Sequence, residues 1–75
     1  MTSYEKIEAL RDTAGLNKKE MSALMDVTFQ AYNRWRQNNA APDKQLRRAG
    51  TEVQRLIHDR HLAALAKIDK ILNNY

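Results

Sequence analysis

Phe29, Gln30, Asn33 and Arg34 combine side-chain type and spacing in a way that suits one task. In a helix whose bulky Tyr32 and Trp35 turn inward at the i, i+3 interval, these four are left on the outer side. Gln and Asn each carry a paired donor and acceptor, and Arg carries a two-pronged donor. Those are the patterns that match base edges in the major groove of double-stranded DNA. The rest of the chain offers little competing chemistry. His58 and His61 stand i, i+3 and could share a metal ion, but the chain has no cysteine and no third histidine to complete a site. Asp59 and Asp69 have no pairing, no serine has an evident base partner, and no glycine-rich phosphate loop is present. Neither catalysis nor a cofactor, metal or small-molecule ligand is expected.

The charge is distributed to match. Residues 1–26 carry net −1, residues 27–48 net +4 and residues 49–75 net +1, so the middle segment equals the whole excess of +4. A localised basic patch is the footprint of a polyanion binder, although charge alone is equally compatible with an ordinary solvated surface. With 75 residues the chain makes one small domain, near the lower limit for a self-sufficient core. Lacking cysteine it has no disulfide framework, which leaves oligomerisation as the source of extra stability and fits a reducing cytoplasm. No apolar run approaches the ~20 residues of a membrane span, and MTSYEKIEAL is amphipathic rather than signal-like.

The elements that must carry the outward residues are helices throughout, in a chain with two Gly and one Pro. Thr2 and Glu5 have capping-box spacing, and Ile7, Leu10 and Ala14 recur on one face, which predicts a first helix over 3–14 ended by Gly15. Leu16 is expected to plug the core between the first two helices. Asn17 with Glu20 opens a second, short helix whose buried face is Met21, Leu24 and Met25 and which ends near Asp26. Thr28 caps a third helix, closed by Asn38 and Asn39 because Asn tolerates the left-handed conformation. Pro42 suits a first helical position. From Asp43 the pattern is helical nearly to the end, interrupted at Gly50, where Thr51 and Gln54 restart it with capping-box spacing. This predicts either two helices or one kinked helix.

At GLNKKEMSALMDVTFQAYNRW the chain resembles the Cro and lambda-repressor (XRE-like) helix-turn-helix family. The places of that pattern are taken by Gly15-Leu16, Glu20-Met21, Leu24, Val27-Thr28, Tyr32 and Arg34-Trp35, and the likeness covers residues 4 to 48. It departs from the family at Asn17-Lys18, Asp26, Tyr32, Arg36 and Asn38. APDKQL with the later IDKIL further resembles the region that follows the helix-turn-helix in anti-CRISPR-associated autorepressors. The resemblance implies an all-α fold of four or five helices, with a helix-turn-helix domain over residues 1–50. It also implies a third helix lying in the major groove. Base readout would then fall to Gln30 and Arg34, with Asn33 second. Phe29 would meet a thymine methyl or else close the turn. Lys18, Lys19, Thr28, Arg36, Asn38 and Asn39 become candidates for phosphate contact. Such a domain acts as a transcriptional regulator in the bacterial cytoplasm, typically a repressor of a phage or mobile element on a palindromic operator. The alternative is a protein-interaction module, an antitoxin or phage inhibitor, built on the same scaffold.

The last segment, 51–75, reads as an amphipathic helix. Val53, Ile57, Ala64, Ile68, Ile71 and Tyr75 form one narrow stripe flanked by Leu65 and Leu72. A helix of this length, ~35 Å, exceeds what a compact head can cover. The stripe is expected to be a homodimer interface, two-fold dimers being the commonest oligomers.

Overall fold

Short polar side chains set where the helices begin. Thr2 accepts from the Glu5 N–H while Glu5 reaches back to the Thr2 N–H, and Asn17 and Glu20 repeat this reciprocal pair. Thr28 Oγ1 accepts from the Ala31 N–H at 3.1 Å. The computed structural model describes residues 1–73, and in it these caps open α1 (Ser3–Ala14), α2 (Lys18–Leu24) and α3 (Phe29–Asn38). A fourth helix, α4 (Asp43–Asn73), follows the Ala40–Pro42 link, and the Pro42 carbonyl accepts its first backbone hydrogen bonds. No strand occurs among the described residues, so the fold is all-α.

Left-handed residues end the helices. Gly15 closes α1 at φ 68°, and Asn39 closes α3 at φ 48°. The α2–α3 turn begins earlier than the spacing predicts. α2 stops at Leu24, and Asp26 already stands at φ 55°, a conformation that Asp adopts more readily than most side chains.

The core is built by Tyr4, Ile7, Ala14, Met21, Met25, Tyr32, Ala49 and Val53, closed at its edge by Leu10, Leu16, Leu24, Val27, Trp35, Leu46 and Leu56. Trp35, expected inside with Tyr32, is only half-buried and packs against the edge of the core, while Tyr32 is fully buried. α1 and α4 run in the same direction and are joined at both ends. Ser3 Oγ exchanges hydrogen bonds with the Ala41 backbone at one end, and Arg60 donates to the Ala14 carbonyl at 2.7 Å at the other. The Arg60 cation thereby satisfies a free carbonyl at the negative end of α1.

Two expectations are corrected. Gly50 does not interrupt α4, which passes through it from the link to Asn73. Ala49 and Val53, on either side, are locked into the core, and that packing outweighs the ~1 kcal/mol helix penalty of glycine. Val53 does not belong to a partner-facing stripe either: it is 2% exposed, held against the chain's own core. Beyond it every residue from Ile57 to Asn73 is exposed, and the molecule is a head with a helical stalk, 55 × 20 × 16 Å in extent. Tyr75, the last residue of the stripe, lies outside the described residues.

A β-carbon added at Gly50 would meet nothing within 4 Å. Gly50→Ala is therefore expected to stabilise the fold by about 0.5–1 kcal/mol, from the helix propensity alone. A domain of this size would show that as a rise of roughly 2–8 °C in Tm by circular dichroism. A fall in Tm would mean that the helix needs glycine there.

Candidate nucleic-acid interface

Tyr32 anchors α3 and so decides which way its other side chains point. Its ring sits edge-on to Tyr4, centroids 6.0 Å apart, and tilted against Trp35 at 5.6 Å. Its hydroxyl donates to Glu8 Oε2 at 2.6 Å. The same oxygen accepts from Arg11 Nε at 2.7 Å, and the Lys18 ammonium lies 3.9 Å from the other carboxylate oxygen. Arg11 also donates to the Leu16 carbonyl at 2.7 Å. One carboxylate on α1 thus ties down the start of α2 and the middle of α3.

The ionisation of these groups reflects that tie. Burial on its own would raise the Glu8 carboxyl, but the hydrogen bonds from Tyr32 and Arg11 outweigh it and hold the group below the ordinary carboxylate range. Burial, helped by the adjacent Glu8 charge, raises the Tyr32 phenol far above its usual value. The Tyr4 hydroxyl is buried with no hydrogen bond of its own, and burial together with the Glu8 carboxylate pushes its phenol up to about 12.

With Tyr32 held inward, Gln30 and Arg34 are exposed on the opposite side of α3, as the spacing predicts. Asn33 lies at the margin and is half-buried. Gln37 is a further member of this face: it is exposed, three residues past Arg34 and four past Asn33. It is not among the residues expected from the sequence, where its i+3 and i+4 spacing is the signal that marks it. Phe29 is 38% exposed, with the Lys19 ammonium 5.7 Å from its ring centroid. This cation–π contact ties it to the start of α2.

The expected phosphate ligands are unequally free. Lys19, Arg36 and Asn38 are exposed along the rim. Lys18 is half-buried against Glu8, which makes it the less available of the two lysines. The Thr28 hydroxyl oxygen is occupied by its cap, and Asn39 Oδ1 accepts from the Thr2 hydroxyl at 3.4 Å. Further along, Arg48 lies 3.8 Å from Asp26, an exposed pair that contributes little to stability. Ala64, Leu65, Ile68, Ile71 and Leu72 are not brought near α3; they line the stalk.

The face on α3 is a row of neutral amides with one guanidinium cation on a single helix, rimmed by further cations. It can donate and accept hydrogen bonds at fixed spacing. Among the described residues no group of three or more potential metal ligands gathers anywhere, and no helix is long and apolar enough to cross a membrane. No family model, curated protein or solved structure matches this chain.

Proposed function

We propose that this chain is a sequence-specific regulator of transcription that binds double-stranded DNA through a Cro-like helix-turn-helix. In this reading it acts as a homodimeric repressor of a phage or mobile element, on a palindromic operator in the bacterial cytoplasm. One observation carries the proposal: Gln30, Arg34 and Gln37 share the open side of a short helix whose opposite side is locked by Tyr32. α3 enters the major groove, Gln30 reads adenine and Arg34 reads guanine. Asn33 and Gln37 reach neighbouring bases, and Phe29 packs at the edge of the footprint. Lys19, Arg36 and Asn38 hold the phosphates on either side. Repression follows from occupying the promoter, with no chemistry required of the protein.

Selection of bound duplexes from a random pool tests this. The expected product is an inverted repeat whose half-sites lie about one helical turn, ~34 Å, apart or a multiple of it. Its affinity should fall steeply with added salt as counterions are no longer released to advantage. A pool that returns without any enriched sequence would remove the proposal.

A further inference from the structure

We infer that two copies of this chain pair antiparallel through residues 57–73 of α4, each stalk lying along the other with the two heads at opposite ends. This deepens the homodimer of the proposed function and stands apart from the DNA reading.

The argument begins with which side of α4 carries the uncovered stripe. At 3.6 residues per turn, Ile57, Ala64, Ile68 and Ile71 fall within roughly 60° of Val53 around the helix. Val53 is buried against the head. The stripe is therefore a continuation of the core-facing side of α4, uncovered only because α1 stops at Ala14, level with Arg60. Two stalks brought together in parallel on that side would drive one head into the other. Turned end for end, each stalk occupies the space just past the partner's α1, and the heads do not meet.

The area is sufficient. Ile57, Leu65, Ile68, Ile71 and Leu72 are between 39% and 64% exposed. Covering them removes on the order of 500 Å² per chain from water, about 1,000 Å² for the pair, the threshold for a specific interface. The place where the stalk leaves the head also supplies a receptor. An open apolar groove between α1 and α4 is lined by Leu10, Thr13, Val53, Ile57 and His61. An antiparallel partner delivers the end of its stripe, Ile71 and Leu72, to this groove, and two-fold symmetry repeats the contact at the other end.

The chain has no cysteine, so single-cysteine variants give a clean test. Ile57→Cys and Leu72→Cys are mixed under reducing conditions and then oxidised. The antiparallel pair yields a covalent dimer in the mixture and none from either variant alone. Crosslinking of each variant with itself, or no crosslink in any sample, overturns the proposal. A second measurement needs no substitution. With an overlap of ~25 Å at ~1.5 Å per residue, two 55 Å chains span ~85 Å, and small-angle scattering should return that maximum dimension. A dimer no longer than the single chain, or a monomer, would refute it. Operator binding without the mixed crosslink defeats this pairing alone, and the mixed crosslink without operator binding defeats the DNA reading alone.

Discussion

Arg34→Ala is expected to lower affinity for the selected operator about 10- to 100-fold while changing affinity for a scrambled duplex little. The figure follows from the ~1–3 kcal/mol of discrimination in a bidentate arginine–guanine pair. Arg34 is exposed and lies outside the core, so its loss leaves the fold intact and the effect reads on recognition alone. Lys19→Ala should behave in the opposite manner, weakening both duplexes to a similar degree and reducing the slope of log affinity against log salt by about one. Fluorescence anisotropy at several salt concentrations separates the two. Equal losses on both duplexes for Arg34→Ala would demote that residue to a backbone contact.

The largest effect on stability is expected at Tyr32. Its side chain is fully buried, and Tyr32→Ala removes a large ring from the centre of the head at a cost of about 3–5 kcal/mol. A domain of this size has little more than that in total, so the variant should be unfolded or nearly so at 37 °C. Tyr32→Phe keeps the ring and removes only the hydrogen bond to the Glu8 carboxylate, at about 1.5–3 kcal/mol. Urea melts of the two variants distinguish ring from hydroxyl. A Tyr32→Phe midpoint equal to that of the natural chain would show the bond to be energetically idle.

The same cluster dictates how stability varies with pH. The Glu8 carboxyl is lowered in the folded chain, so its contribution is present above its unfolded value near ~4.3 and is lost as pH falls through the folded one. The phenols of Tyr4 and Tyr32 are raised, so theirs is present below ~10 and is lost as pH climbs towards the folded values, about 12 for Tyr4. Glu8→Gln should remove this cluster's share of the acid limb, since its one carboxylate is gone, and leave the share of the lowered Glu5 carboxyl held by Thr2.

What could be read from the residues alone follows the range of the forces involved. The starts of α1, α2 and α3 are written within four residues, by Thr2 with Glu5, by Asn17 with Glu20 and by Thr28, and each stands where spacing predicts. Gly15 and Asn39 at the ends are equally local. The outward position of Gln30 and Arg34 follows from one periodicity anchored on Tyr32. The hidden part is long-range. Nothing near Glu8 announces that its carboxylate will meet a tyrosine hydroxyl 24 residues away, or near Arg60 that it will cap a helix 46 residues earlier. Tyr4 was legible in principle, three residues before Ile7 on the same face, but its burial depends on Tyr32 arriving edge-on. Gly50 is the reverse case, in which a strong local signal for a break yields to Ala49 and Val53 packing on either side.

The stalk past Arg60 makes one more point about this chain. About thirteen residues of helix standing alone in water are near the length at which winding and unwinding balance. In the proposed pair the last turns of α4 would owe their order to the partner stalk, whose presence depends on abundance. A sparsely made protein would hold those turns loosely, and a plentiful one would hold them firmly. The far end of the molecule is then a gauge of how many copies surround it.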